Sequence, residues 1–369
     1  MDSFVIAGLL IVFCAVMILP FTVKTIERNL EVFLFVCGVA SLTIAGYASA
    51  AGETYGWSTA IVVEALTSPL NIATIWGIPI GIVQIVLVVG LLIYFFHHAL
   101  ERGINGLVGR VPLSVIIPAL IIVLGLVSSV ISAILAAIIL VEIINSLPII
   151  RETKIEITVI SCFAIGLGAG LTPLGEPLST IVVSKLSGAP YYADFWFLID
   201  KLGVYLIPTV FALGLLGFVV YKRRQTGETS LACKVEREQI SEVLLRAGKV
   251  YLFIMALVFL GEGFKPIIME YIIHIPAEAL YWVNTVSAVL DNATLAAAEI
   301  SPALSLEQIT GALIGLLVAG GMLIPGNIPN IIAAGKLGIT SCEWAKVGVP
   351  LGLVMMVVYF GILFIPTWI

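Results

Sequence analysis

Thr285-Val-Ser-Ala-Val-Leu-Asp-Asn-Ala-Thr-Leu-Ala-Ala-Ala-Glu299 decides how this chain is read, because it sets an Asp-Asn pair among small residues inside otherwise lipid-compatible sequence. An ionisable group at the centre of a bilayer costs about 2.5 kcal/mol or more, so one that is kept there points to function. Further on, Gly320-Gly-Met-Leu-Ile-Pro-Gly-Asn-Ile-Pro-Asn330 interrupts a run apolar enough for a helix with two glycines, Pro-Gly and Pro-Asn. An earlier copy of both features lies within residues 128–186, and the remaining chain reads as a scaffold holding the two copies.

Working outward, the composition sets the class. Of 369 residues, 60% are hydrophobic and 11% charged, with a mean hydropathy of +1.16; soluble domains carry about 25% charged residues. The chain is therefore expected to be an all-α polytopic membrane protein. Its net charge of −5 is spread over short loops with no basic face, so no nucleic-acid partner is expected. Five scattered cysteines without a CxxC indicate neither a disulfide framework nor a structural metal. The first residues, Met1-Asp-Ser-Phe4, lack a basic n-region, so the first apolar run is expected to stay as a span.

Apolar runs at 4–20 and 30–50 read as a helical pair, 59–70 as an interfacial segment and 74–96 as the next span. Residues 115–150 are too long for one crossing and carry a single ionisable side chain, Glu142, so they read as a re-entrant hairpin with its tip near Ser128-Ser-Val-Ile-Ser132. Residues 155–186 form a span broken at Gly166-Leu-Gly-Ala-Gly-Leu-Thr-Pro-Leu-Gly-Glu-Pro-Leu-Ser-Thr180, where prolines remove donors and glycines permit turns. Unwound backbone at that depth must be buried in protein or line a wet cavity. Residues 193–201 read as interfacial, 203–221 as a span, 222–249 as a polar segment, and 250–275 as a span with Glu262, Lys265 and His274 near its far end. A second hairpin at 279–300, a second broken span at 306–337 and a last span at 347–366 complete eight spans and two hairpins.

Lys and Arg then fix the orientation. The loops with Lys24 and Arg28, Arg102 and Arg110, Arg151 and Lys154, and the segment 222–249 fall on one side, expected to be cytoplasmic, which leaves both termini external. The two hairpins open to opposite sides. A shift of 151 residues puts Gly170 on Gly321, Gly175 on Gly326, Glu176 on Asn327, Ser179 on Asn330 and Lys185 on Lys336; a shift of 155 puts Ser132 on Ser287. Copies of opposite orientation make an inverted repeat, a signature of secondary transporters with substrate near the midplane. The organisation expected is scaffold helices over 1–114, a first transport half over 115–202, scaffold spans and linker over 203–278, a second transport half over 279–346 and a last scaffold span over 347–369.

The copies differ in charge. The second hairpin tip carries Asp291-Asn292 where the first has Ala136-Ala137, and the first break carries Glu176 where the second has Asn327. Carboxylates beside broken-helix carbonyls, amides and hydroxyls suit a hard monovalent cation or a proton. The candidate ion-binding residues are Asp291, Asn292, Ser287, Thr294, Gly326, Asn327, Asn330, Glu176, Thr172, Gly175, Ser179 and Ser132, with Na+ placed at Asp291, Asn292 and Asn327. Asp291 also stands where an N-cap of the hairpin's second arm is expected, a role compatible with ion binding. Glu142 and Glu299, on the exit arms of the hairpins, read as lying near headgroups, and Lys185 and Lys336 as interfacial.

Ser287-Ala-Val-Leu-Asp-Asn-Ala-Thr294 and Gly326-Asn-Ile-Pro-Asn330 resemble the hairpin-tip and Gly-Asn-Pro-Pro-Asn motifs of the ion-transporter superfamily that includes NhaD-type sodium/proton antiporters, ArsB-type arsenite permeases and divalent-anion/sodium symporters. The chain is also similar to a short prokaryotic group of predicted cation transporters. That resemblance implies a homodimer in the cell (inner) membrane, surrounded by lipid, in which the hairpins and broken helices move as an elevator. Ala136-Ala137 and Glu176-Pro177 depart from the superfamily pattern at the first tip and first break. The function expected is Na+/H+ antiport, with Asp291 taking Na+ and H+ competitively; the alternative is a Na+- or H+-coupled carrier of a carboxylate or oxyanion. No cofactor is implied beyond the transported ion. An enzyme is not expected, since there is no GxSxG and no HExxH.

Overall fold

The structure, a computed structural model, describes residues 3–368 apart from 24, 27–28, 51–52, 71–72, 76–77, 81–82, 85–86, 89–90, 92–110, 225–239, 272–274, 301 and 303. Helices α1 (Ser3–Thr22) and α2 (Leu30–Ala45) are followed by a two-stranded ribbon of β1 (Ser49–Ala50) and β2 (Glu53–Thr54). A short helix α3 (Thr59–Thr67) starts where the Ser58 side chain accepts from the Ile61 N–H at 3.2 Å. Next, β3 (Ala73–Ile75) and β4 (Ile78–Ile80) pair antiparallel. The span expected at 74–96 is thus corrected at its start, where an apolar, β-branched run containing Pro79 folds back on itself. Most of its remainder lies outside the described residues.

The rest is helical: α4 (Leu113–Ile131), α5 (Ala133–Ser146), α6 (Arg151–Ala169), α7 (Pro177–Lys185), α8 (Phe197–Arg224), α9 (Ile240–Tyr271), α10 (Ala277–Val283), α11 (Asn292–Glu299), α12 (Leu306–Gly320), α13 (Ile328–Leu337) and α14 (Ser341–Trp368). Five stretches, Ser3–Pro20, Leu113–Ile131, Phe197–Arg224, Ala247–Ile267 and Ser341–Ile365, are long and apolar enough to cross a membrane among the described residues. The chain is a helical, membrane-embedded protein by that measure. The first arm of the expected hairpin, α4, is itself one of the five.

Two helices occupy the centre. From Thr153 onward nearly every residue of α6 is buried, as is nearly every residue of α12 from Ile309 onward, the pattern of helices covered on all sides. A capping box starts α12: Ser305 Oγ accepts from the Gln308 N–H at 3.1 Å and Gln308 Oε1 from the Ser305 N–H at 2.9 Å. Around this pair, α4 and α8 pack on α6, while α10, α11 and α14 pack on α12. To one side, α9 packs along α2. The polar segment expected over 222–249 is shorter than the sequence implied, since 222–224 end α8 and 240–249 begin α9, where Lys249 pairs with Glu31 at 3.0 Å. The organisational boundary expected at 202/203 falls inside α8.

Candidate functional site

Both central helices stop at a glycine and resume after a proline-rich turn. Helix α6 ends at Ala169, residues 170–176 turn, and α7 begins at Pro177; α12 ends at Gly320, Ile324–Gly326 form a short 3-10 turn, and α13 begins at Ile328. A helix that stops inside protein leaves carbonyls without partners, and here side chains collect them. Ser179 Oγ donates to the Ala169 carbonyl at 3.3 Å, and Asn330 Nδ2 donates to the Gly320 and Leu323 carbonyls at 2.8 and 2.9 Å. Trp344 Nε1 takes the Gly321 carbonyl at 3.1 Å. A Cβ on Gly175 would lie 2.1 Å from the Ala169 oxygen, and one on Gly326 2.6 Å from the Gly320 oxygen. Positions 151 apart therefore make the same contact in both breaks. Each break also packs on the opposite helix: a Cβ on Gly170 would meet Leu317 at 2.7 Å, and one on Gly321 would meet Phe163 at 2.5 Å.

The hairpin tips close onto these breaks. Between α4 and α5 the chain turns at Ser132, whose φ of 77° is unusual for a side-chain-bearing residue. Beyond it the Ala133 N–H donates to the Gly175 carbonyl at 2.8 Å. Thr172 donates its hydroxyl to the Ser129 carbonyl and accepts from the Leu174 N–H at 3.3 Å. At the second tip, a 3-10 turn over Asn284–Ala288 leads to Asp291, and the Leu295 N–H donates to the Asp291 carbonyl at 3.2 Å, so Asp291 takes the N-cap position of α11. Ser287, fully buried, donates to the Leu316 carbonyl at 3.3 Å. The Ser287 carbonyl lies 2.7 Å from where a Cβ on Gly326 would sit.

One region gathers the charged and amide side chains. The buried Glu176 carboxylate faces the amides of Asn292 and Asn327 and lies within electrostatic reach of Asp291. Its Oε1 and the Asn292 Nδ2 nonetheless complete no hydrogen bond among the described residues. Glycines make the room: Asn327 Nδ2 lies 3.1 Å from where a Cβ on Gly166 would be, and Asn292 Nδ2 3.6 Å from where one on Gly320 would be. Of the candidates, Glu176, Asp291, Asn292 and Asn327 come together. Ser132, Thr172, Gly175, Ser179, Gly326 and Asn330 serve the joints around them, with Asn330 Oδ1 buried and unpartnered among the described residues. Thr294 falls on α11, and its side chain lies outside the described residues. Two carboxylates with several neutral amide and carbonyl oxygens make a surrounding for a small cation or a proton. Among the described residues no three His, Cys, Asp or Glu side chains gather as a transition-metal site would need.

Two carboxylates expected near headgroups are buried within the protein. Glu142 forms an ion pair with Lys336, which joins α5 to α13, and the two side chains are 12% and 9% exposed. Glu299 is 2% exposed. Neither carboxylate faces outward. Sequence reading also passed over Asn284, which is 1% exposed in the entry arm of the second hairpin; an amide in an apolar arm was the available signal.

A family model described as a protein of unknown function (DUF1646) matches residues 6–366. No curated protein matches the chain.

Proposed function

For this chain, which belongs to the DUF1646 family of proteins of unknown function, we propose secondary active transport of a monovalent cation, Na+ exchanged for H+. The observation that carries this reading is the meeting of Glu176 from the first break with Asp291, Asn292 and Asn327 from the second hairpin tip and second break. In this reading Na+ and H+ compete for the Asp291 and Glu176 oxygens, and the two amides complete the shell by turning their oxygens to the ion. Asn amides serve either polarity, since each carries an acceptor and two donors.

The proposal includes an inverted repeat working as an elevator within a homodimer in the cell membrane. Its support is the repetition of joint contacts at positions 151 apart, together with the reciprocal packing of α5 on α13 and of α7 on α11. A rigid body built from both hairpins and both breaks would carry its ion with it. A coupled anion carrier needs a buried cation free to meet the anion; Lys336 is held by Glu142 and Lys185 Nζ bonds the Ile300 carbonyl at 3.3 Å.

The test uses proteoliposomes carrying an imposed proton gradient and a pH-sensitive dye, with Na+, Li+ or K+ added outside. Cation-driven collapse of the gradient is expected for the wild type and not for Asp291→Asn, with the variant still folded. Equal exchange by both proteins would remove Asp291 from the site. No response to any cation by folded wild type would instead favour labelled anions driven by a sodium gradient.

A further inference from the structure

Of the glycines inside α6 and α12, all but one are pressed by a neighbouring element. A Cβ on Gly168 would run into the Gly125 carbonyl of α4, one on Gly311 would lie 2.9 Å from the Phe364 ring of α14, and one on Gly315 2.9 Å from the Tyr281 carbonyl oxygen of α10. One on Gly320 would meet the Gly326 oxygen at 3.1 Å. Close packing accounts for each of these, since a side chain would displace backbone or ring. The exception is Gly166. It is buried in α6, yet among the described residues a single atom outside its own helix comes within 4 Å of its Cβ position, the Asn327 Nδ2 at 3.1 Å. Glycine is the poorest helix former after proline, so neither helix formation nor close packing gives a reason to prefer it to alanine here.

Two further observations tie this room to the charged cluster. Asn327 holds the N-cap position of α13, but its side chain makes no cap hydrogen bond, whereas a capping asparagine ordinarily accepts from the N–H groups of the first turn. Its amide is turned instead to the buried Glu176, whose Oε1 is without a hydrogen-bond partner among the described residues. The second observation is an unequal match between the halves. Under the 151-residue shift Gly166 corresponds to Leu317, whose side chain is 2% exposed and fills the place against Gly170. The second half is thus filled where the first is left open, and the opening lies beside an amide of the cluster.

We propose that Gly166 sets the size of the cation admitted between Glu176 and Asn327. The assignment rests on the reading of that cluster as the ion site, and adds to it a positioning residue whose contribution is the side chain it lacks. In that reading the Asn327 amide swings its oxygen to the ion, and the room over Gly166 is where the amide turns. A methyl at 166 would make the amide yield by a few tenths of an ångström, the scale on which the radii of Li+, Na+ and K+ differ. A smaller ion tolerates the narrowing and a larger one does not. Selectivity among monovalent cations is then set from behind the ligand, by the wall of α6.

Thermal unfolding of the purified full-length protein in Li+, Na+ or K+ chloride, against choline chloride at equal ionic strength, reads cation binding without requiring transport. The wild type should be stabilised by Na+. In Gly166→Ala the cation-free midpoint should hold, while the apparent affinity for Na+ falls about tenfold relative to that for Li+. Asn327→Ser widens the same room from the facing side and should move the preference toward K+; this variant decides the matter if Gly166→Ala does not fold, and an unchanged preference in it would overturn the assignment. An unchanged Li+/Na+ ratio in folded Gly166→Ala, or equal weakening of both ions, would overturn it too while leaving the cluster as the ion site. A wild type stabilised by no cation would instead remove the cluster as the ion site, and the assignment with it.

Discussion

In the first half, the break between α6 and α7 is held by a hydroxyl, Ser179 on the Ala169 carbonyl at 3.3 Å. In the second half, Asn330 reaches the Gly320 and Leu323 carbonyls at 2.8 and 2.9 Å. Next to these fasteners the first break presents a carboxylate at Glu176 and the second an amide at Asn327. The exit arms differ as well, Glu142 meeting Lys336 while Glu299 meets Asn284. Backbone geometry is common to the halves because Gly175 and Gly326 allow the same close approach. The side chains set on it are not common, and the charge is distributed unequally. A shared frame with unequal charge is the arrangement on which the proposed ion site draws.

The largest effect expected from breaking this comparison is at the ion pair. Lys336→Ala leaves Glu142 in a nearly closed site without its cation, a change that typically costs about 3–5 kcal/mol. The same substitution at the more exposed Lys185 removes a bond to a carbonyl, about 1 kcal/mol. Thermal unfolding of both variants in one detergent should show a markedly lower midpoint for the first. Lys336→Met combined with Glu142→Leu should recover most of the loss, since no charge is then stranded. Similar midpoints for the two lysine variants would dismiss the asymmetry.

Next in size are the glycines. Gly175→Ala and Gly326→Ala each push a methyl against backbone oxygen, at 2.1 and 2.6 Å respectively, and overpacking of this kind costs about 1–3 kcal/mol. Gly335→Ala is the control, because nothing lies within 4 Å of its Cβ position in α13; it should hold or raise stability by about 0.5–1 kcal/mol. The sign of the change, read from denaturation midpoints, separates the two kinds of glycine. The smallest difference separates the fasteners: Asn330→Ala should cost more than Ser179→Ala, about 1–3 against about 0.5–1.5 kcal/mol, and the reverse order would show that the two breaks are held differently from this account.

Much of this architecture was legible. Glycine and proline punctuation located both breaks, the Asp291-Asn292 pair located the second tip, and Ser132 marked the first. Local chemistry was enough there, because a break is a local event. Three features were not legible. The Glu142–Lys336 pair joins elements far apart in sequence, and hydrophobic periodicity carries no information about which polar residues meet across a bundle. The start of α9 was read as loop, since its first turns are polar where they leave the apolar core. The β3–β4 turn was read as the head of a span because short β-branched apolar runs fit strand and helix alike.

The crossed packing of α5 on α13 and α7 on α11 bears on how the molecule is made. A ribosome adding about 5–20 residues per second emits Glu142 roughly 10–40 s before Lys336. Throughout that interval the nascent first half has its exit-arm carboxylate without the lysine that pairs with it, and the face of α5 that α13 will cover stays open. Insertion of this chain is therefore a waiting problem: the early hairpin must be sheltered by the insertion machinery, or sit shallow, until the late one arrives to lock it in place.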